Sequence, residues 1–214
     1  MPQDPFSPRK EPRQARSRVL VDAIVGAAGR ILPRLGFDEL TTHQLAEVAG
    51  VSVGSLYQYF PTKEAIVATL IERRAEADVA RVSELLDELR GLPLREVIAR
   101  TVSDMIELHR SAGPLYRVML PLVVRVRRHR YVRELLAQAR ERVRAELEAR
   151  HEEVRKEDLE LAVFVAGHAL EACIHAALDE RPELLSDPAF ARELTDLAVR
   201  YLTKDLKTNG GASA

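Results

Sequence analysis

The residues best suited to recognition chemistry lie between Val53 and Phe60, in a stretch that fits one short helix. At about 100° per residue, Leu56 and Phe60 share a face that can be buried, and the opposite face is polar and uncharged. That face carries Gly54, Ser55, Tyr57 and Gln58. Hydroxyl and amide groups can bond to phosphates and base edges. The pattern therefore favours a nucleic-acid-binding surface. The alternative is a solvated helix on which Tyr57 and Tyr59 are half-buried packing residues.

Two further residues extend this interpretation. Gly54 weakens a helix by roughly 1 kcal/mol relative to alanine, but it lets a groove wall come close to the backbone. Lys63 begins the next helix, where a positive charge beside free backbone N–H groups favours a phosphate.

The elements that must position these residues are three helices within about 45 residues. Apolar residues recur at helical spacing from Arg18, and Gly36 is a plausible stop, with Pro33 disturbing the last turn. Thr41 and Gln44 have the spacing of a capping box. Ser52 can cap the helix that runs to Phe60, and Thr62 can cap the following one. The pattern predicts a helix-turn-helix.

Beyond the third helix the chain is predicted to stay helical, with breaks at glycine, proline and charged clusters. The predicted helices are Lys63–Leu89, Leu94–His109, Leu115–Arg127, Tyr131–Val154, Asp158–Leu178 and Pro188–Leu206, and Pro121 is expected to kink or end the third of these. We expect four regions: a flexible basic arm (1–16), the helix-turn-helix domain (17–62), a larger helical domain (63–207) and a flexible tail (208–214).

The whole first segment resembles the DNA-binding signature of the tetracycline-repressor (TetR) family. The resemblance is carried by Thr41-Thr42-x-x-Leu45-Ala46-x-x-Ala49-Gly50-Val51-Ser52-x-Gly54-x-Leu56-Tyr57-x-Tyr59-Phe60-x-x-Lys63-Glu64, and Gly36-Phe37 fits it too. It implies an all-α fold of about nine helices, with an N-terminal DNA reader and a larger ligand-binding and dimerisation domain. The expected function is that of a homodimeric repressor, released from a palindromic operator on double-stranded DNA by a small-molecule effector.

The resemblance also assigns roles to particular residues. Thr42, Tyr59 and Lys63 match phosphate-contacting positions, while the recognition helix supplies Ser52, Val53, Gly54, Ser55, Tyr57 and Gln58. Gln58 and Ser55 are the candidates for reading bases, because their side chains point outward. No arginine or lysine lies on this helix, so adenine pairing by glutamine, thymine-methyl contacts or DNA shape must give specificity. Arg13, Arg16 and Arg18 could add phosphate contacts.

The resemblance fades after about residue 70, where effector residues are expected. The candidates for ligand binding are Met105, His109, Tyr116, Met119, Phe164, His168 and Glu171. Phe164, His168, Glu171 and His175 fall on one wedge of a helix, and three interpretations stay open: a metal site, the polar part of a cavity, or an interfacial stripe. Because no His pair is spaced at i, i+4 there, we expect no metal and no cofactor. Small residues at Ala162, Ala166, Ala169, Cys173 and Ala176 suggest helix packing, and the resemblance places the dimer interface on the helices near 158–178 and 188–206.

Composition bounds the remaining classes of function. The 214 residues are 46% hydrophobic and 30% charged, with net charge −1 and one cysteine, which excludes a disulfide framework. Positions 1–34 carry seven basic residues and three acidic ones, so the N-terminal segment has an excess of positive charge. We expect no signal peptide, no membrane span and a cytoplasmic location. The basic run from Arg125 to Arg130 is interpreted as solvated surface. The alternatives are a helical carrier of small molecules without operator binding, and an enzyme using His168, Glu171 and His175, although no nucleophile or phosphate motif supports catalysis.

Overall fold

A computed structural model of the chain describes residue 8 and residues 14–126, 130–155 and 157–204. Over these residues the chain forms nine α-helices and one short 3-10 helix, so the expected all-α fold is confirmed. The helices are α1 (Ala15–Glu39), α2 (Thr42–Ala49), α3 (Val53–Tyr59), α4 (Lys63–Glu88), α5 (Leu94–Ser111), α6 (Gly113–Val126), α7 (Arg130–Glu148), α8 (Leu159–Glu180) and α9 (Pro188–Leu202), with the 3-10 helix at Pro182–Ser186.

The chain divides into two compact units, Met1–Val79 with Ala112–Leu136, and Ala80–Ser111 with Ala137–Ala214. The start of α4 belongs to the same core as α1 to α3 within the first unit, and the boundary expected between residues 62 and 63 stays a prediction. Ala65, Ile66 and Ala68 of α4 are fully buried in that core.

The core of the first unit is built on one face of α1. Ile24, Ala28 and Leu32 are fully buried, and Met119 of α6 joins the same cluster. Gly36 interrupts the helix as expected, since its φ of 75° lies in the left-handed region that favours glycine. Pro33 lies within α1 before that interruption. The chain turns at Gly36 and approaches α2 in extended conformation at Leu40.

Two of the predicted helices end several residues earlier in the structure. The helix predicted to reach Val154 stops at Glu148, because the backbone of Val154 pairs with that of Thr203 in an isolated antiparallel bridge. This pairing also ends α9 at Leu202 rather than at Leu206. Pro121, expected to kink or end its helix, lies inside α6, which continues to Val126. Most of the expected arm and all of the expected tail (208–214) lie outside the described residues.

In the second unit, α5 packs against α8, α9 and the 3-10 helix. α8 is apolar on two sides. Ala166, Leu170 and Ile174 are buried, while Leu161, Phe164 and Val165 are exposed. The small-residue face is divided between these sides, since Ala162 and Ala166 are buried and Cys173 and Ala176 are exposed. By length and composition α8 could cross a membrane, but a core helix meets the same criterion.

Candidate DNA-binding surface and effector cavity

The short helices α2 and α3 each begin at a side-chain cap. In the predicted capping box the Thr41 hydroxyl accepts the Gln44 N–H at 3.2 Å, and the Gln44 side-chain oxygen accepts the Thr41 N–H at 2.8 Å. The Ser52 hydroxyl accepts the Ser55 N–H at 3.0 Å. Such caps satisfy orphan backbone donors and stabilise a helix by about 1 kcal/mol each. This matters for helices of eight and seven residues, which have few internal bonds.

The turn between α2 and α3 fixes the angle at which the polar face is presented. Gly50 ends α2 with a φ of 69°, and its N–H bonds to the carbonyls of Ala46 and Glu47. On the inner side Leu45, Leu56 and Phe60 are fully buried, as the helical projection predicts. The opposite side of α3 is consequently held outward.

The outward face of α3 is uncharged and rich in hydrogen-bonding groups. Tyr57 is 40% exposed, and Gln58 and Gly54 are exposed beside it. A methyl group added at Gly54 would meet nothing closer than the Ser52 hydroxyl at 3.9 Å, so nothing in the described chain demands glycine there. Ser55, a candidate base reader, is half-buried and its hydroxyl lies 2.8 Å from that of Ser52. Gln58 is the candidate that projects from this face.

Two contacts were not anticipated from the sequence. The Thr42 hydroxyl lies 2.9 Å from the phenolic oxygen of Tyr57, which links two candidate DNA contacts. Arg30 of α1 donates to the carbonyl of Val48 at 3.2 Å and so supports the end of α2. Both pairs are far apart in sequence, and no short-range spacing signals them.

Lys63 and Tyr59, matched to phosphate contacts, occupy different settings from Tyr57. The Lys63 ammonium donates to the carbonyls of Phe37 and Asp38 at 2.9 and 3.0 Å and lies 4.8 Å from the centre of the Phe37 ring. Tyr59 is half-buried and packs against the core of the first unit. Of the arginines proposed to assist, Arg16 and Arg18 are exposed on α1, and Arg13 lies outside the described residues.

The second unit contains an apolar cavity of about 190 Å³ among α4, α5, α7, α8 and α9. Its walls include Val82, Leu86, Val97, Ile98, Val102 and Leu170. The polar residues at its lining are few, among them Thr101, Arg140 and Glu171. An apolar cavity with a small polar minority is the usual form of a small-molecule site.

Comparison with known proteins identifies the family. Residues 24–70 match the family described as "Bacterial regulatory proteins, tetR family", and residues 93–202 match "Tetracyclin repressor-like, C-terminal domain". The chain belongs to the TetR family. TetR-family regulators bind DNA and small-molecule effectors, and their N-terminal domain is the DNA-binding one.

Individual relatives and structures support this membership. Nucleoid occlusion factor SlmA of Haemophilus ducreyi is 38% identical over 66 residues, which is 31% of this chain and 31% of that protein. The match therefore spans less than a third of the curated relative. The transcriptional regulator FadR of Bacillus subtilis, solved with stearoyl-CoA, is 20% identical with a TM-score of 0.68, covering 83% of this chain and 96% of that one. A TetR-family regulator of Streptomyces coelicolor is 22% identical with a TM-score of 0.61, covering 85% and 96%. These two likenesses establish the fold.

The ligand candidates of this TetR-family chain separate into different environments. Met105 and Glu171 line the cavity. Phe164 is 51% exposed and lines an open groove with Arg144 and Asp158. His168 is half-buried, donates from Nδ1 to the Phe164 carbonyl at 2.7 Å, and lies against the Phe164 ring. The predicted wedge on α8 is therefore divided, with Glu171 at the cavity and Phe164 outside it.

His109 and His175 meet in the second unit. The two Nε2 atoms are 3.2 Å apart, and His109 is only 7% exposed. The helical wedge placed His175 near Glu171 but gave no indication that it faces a residue 66 positions earlier.

Tyr116 and Met119 belong to the first unit. Met119 is buried in that core, while the Tyr116 hydroxyl donates to Asp78 at 2.6 Å and accepts from Arg74 at 3.1 Å. Burial, followed by the negative charge of Asp78, raises the pKa of Tyr116 well above its ordinary value. The hydroxyl of Tyr116 is thus neutral and engaged with α4.

Proposed function

We propose that the chain is a homodimeric transcriptional repressor that binds a palindromic operator on double-stranded DNA and leaves it when a small molecule occupies the cavity of the second unit. The observation that carries this proposal is the uncharged face of α3, where Gln58, Tyr57 and Gly54 are exposed while Leu56 and Phe60 lock the opposite face. Neutral donors and acceptors on an outward helix suit base edges and phosphates.

Within this proposal Gln58 reads bases, most simply by a bidentate contact with adenine. Thr42, Tyr57 and Tyr59 contact phosphates, and Ser52, Val53, Gly54 and Ser55 bring the start of α3 against the groove wall. Lys63 takes a positioning role, because its ammonium already donates to two carbonyls of the segment that leads into α2. Arg16 and Arg18 add positive charge at the start of α1.

The dimer is proposed to form through α8 and α9. Leu161, Phe164 and Val165 on α8 and Leu197 on α9 are large apolar side chains that remain exposed in the single chain. Exposed large apolar side chains that form a patch are typical of an interaction site. Twofold symmetry would place the two recognition helices about 34–36 Å apart, or a multiple of it, and so demands a palindromic site. A cytoplasmic location is proposed with this function, because the protein must reach its operator.

The effector is proposed to carry a slender apolar chain that enters the cavity. The cavity of about 190 Å³ lies below the roughly 300–1,000 Å³ of drug-sized ligand sites. Arg140 and Glu171 offer polar ends to such a ligand. The structure of FadR with stearoyl-CoA shows that a protein of this fold accepts a fatty-acyl compound. Acyl-CoA thioesters and free fatty acids of graded chain length are therefore the first compounds to test.

The deciding experiment is selection of bound sequences from a random pool of duplex DNA by the purified protein. We expect a palindromic consensus, and we expect Gln58→Ala to relax the preference at one position of each half-site while binding persists. The exposed Glu47→Gln on α2 serves as a control that keeps the consensus. A folded protein that enriches no sequence would instead favour the carrier of small molecules.

The effector is tested on the selected operator. Those fatty acids or acyl-CoA thioesters whose acyl chain fits the cavity should release the wild-type protein, whereas Ala166→Leu, which fills the cavity at a buried wall position, should bind DNA and resist release. Release of both proteins to the same extent would exclude the cavity as the effector site.

A further inference from the structure

His109 and His175 form a close pair of imidazoles that lies outside the DNA-binding surface. The imidazoles come from the last turn of α5 and from the second half of α8. The Nε2 atoms are 3.2 Å apart, the ring centres are 5.1 Å apart and the ring planes are inclined by 55°.

The proton on His109 can be assigned from its other nitrogen. Nδ1 lies 2.7 Å from the carbonyl oxygen of Met105. A carbonyl can only accept, so Nδ1 carries the hydrogen and Nε2 of the neutral ring presents its lone pair toward His175. A histidine that donates from one nitrogen to a backbone carbonyl is the usual arrangement when the other nitrogen binds a metal.

The distances agree with two ligands of one metal ion. Imidazole nitrogens bound at about 2.0–2.1 Å to a tetrahedral Zn²⁺ are about 3.3–3.4 Å apart, within the ~0.2 Å tolerance of such sites. A straight hydrogen bond along the axes of both rings would set the ring centres about 5.5 Å apart. The observed 5.1 Å shows that the two axes are bent toward each other.

The surroundings also suit a cation with open coordination positions. Glu171 precedes His175 by one helical turn, and residues spaced i, i+4 are neighbours on a helix surface. Met105 and Glu171 both line the apolar cavity, so the histidines lie one turn further along the same two helices. Over the described residues no group of three or more His, Cys, Asp or Glu side chains converges. Within the described part of the chain the two imidazoles are the ligands that the site would use, and water would fill the remaining coordination positions.

We propose that His109 and His175 bind one transition-metal ion, with Zn²⁺ as the reference ion, through their Nε2 atoms. Nitrogen donors select Zn²⁺, Co²⁺, Ni²⁺ and Cu²⁺ over Mg²⁺ and Ca²⁺. In this site His175 is neutral and carries its hydrogen on Nδ1. The metal ion replaces the hydrogen that would otherwise lie between the two Nε2 atoms.

The test uses the full chain with any affinity tag removed. Titration with Zn²⁺ alone, in competition with a chromophoric chelator, should give one ion per chain, and Co²⁺ should give a visible absorption band. His175→Ala should weaken binding by at least about tenfold, since even second-shell changes cost 10–100-fold. His168→Ala is the matched control, because His168 lies on the same helix as His175 and, like His109, donates from Nδ1 to the carbonyl four residues earlier.

Three results would overturn the proposal: no stoichiometric Zn²⁺ binding, undiminished binding by His175→Ala, or an equal loss in His168→Ala. Because His175 is half-buried, its variant decides the matter even where the buried His109→Gln variant fails to fold. Operator binding is measured separately on the same samples, so failure of the metal site is distinguishable from failure of the proposed repressor function.

Discussion

The Thr42 hydroxyl lies 2.9 Å from the phenolic oxygen of Tyr57, which joins the first turn of α2 to the exposed face of α3. Both residues are proposed phosphate contacts, and each fixes the position of the other before DNA arrives. Preorganised groups lose less conformational freedom on binding. We therefore expect the pair to act as one unit in the proposed operator complex.

Thr42→Val and Tyr57→Phe should each weaken operator binding, and the double variant should lose little more than either single one. Residues in one hydrogen-bonded pair couple by about 0.5–3 kcal/mol. The measurement is a double-mutant cycle on the operator dissociation constant. Strictly additive losses would show that the two hydroxyls contact DNA independently.

Gly54→Ala should stabilise the protein and weaken its binding to DNA. The added methyl group meets only the Ser52 hydroxyl at 3.9 Å, so the helix gains about 0.4–1 kcal/mol from the lower entropy of the unfolded chain. The same methyl group projects where the groove wall is proposed to lie, which should cost at least about tenfold in affinity, or 1.4 kcal/mol. Urea unfolding and operator titration measure the two effects. Unchanged affinity would remove Gly54 from the interface.

Lys63→Met should lower stability and leave the salt dependence of operator binding unchanged. The variant keeps the aliphatic chain over Phe37 but loses two hydrogen bonds from a charged donor, at a cost of about 1–3 kcal/mol. A lost phosphate contact would instead reduce the slope of log K against log salt by about 0.9. Arg18→Ala, at an exposed position with no side-chain hydrogen bond described, is the companion variant in which we expect the slope to fall. A reduced slope in Lys63→Met would show instead that Lys63 contacts a DNA phosphate.

Tyr116→Phe should destabilise the protein at neutral pH, and the difference from wild type should shrink in alkali. The folded state raises the pKa of Tyr116 above its ordinary 10.0, so the folded state favours the neutral hydroxyl. The stability that this hydroxyl contributes is complete below pH 10 and declines above it, as the unfolded chain loses the proton first. Urea unfolding of both proteins between pH 7 and pH 11 checks the sign. A constant difference across that range would contradict the assignment.

Phe164→Glu should convert the proposed dimer to a monomer and abolish high-affinity operator binding. Phe164 is 51% exposed beside Leu161 and Val165, and a buried unpaired carboxylate in an interface is costly. Light scattering gives the mass of each species. Val19→Glu, at another exposed apolar position, should remain dimeric. A dimeric Phe164→Glu protein would place the interface elsewhere.

Short-range sequence signals were sufficient to predict much of the helix-turn-helix domain. The caps at Thr41 and Ser52 and the interruption at Gly36 depend on residues within four positions of one another, and each is confirmed. The burial of Leu56 and Phe60 followed from helical period alone.

Contacts across the chain were not predictable in the same way. Val154 pairs with Thr203 through backbone atoms, and no side-chain pattern in the sequence indicates this pairing. The helix before Val154 was therefore predicted too long. The sequence showed that Lys63 begins a helix and carries a charge, but not that two carbonyls lie within 3.0 Å of its ammonium. The contact between His109 and His175 was not predictable either, because it depends on the packing of α5 against α8.

The two apolar sides of α8 also bear on how the chain behaves at different concentrations. One side is covered by the second unit, while Leu161, Phe164 and Val165 leave hydrocarbon surface in contact with water. In a monomer this apolar surface stays hydrated, which is unfavourable in free energy. Self-association removes the surface from water and is favoured as the protein concentration rises. The thermal stability of the protein should therefore rise with its own concentration, and dilute samples should melt first.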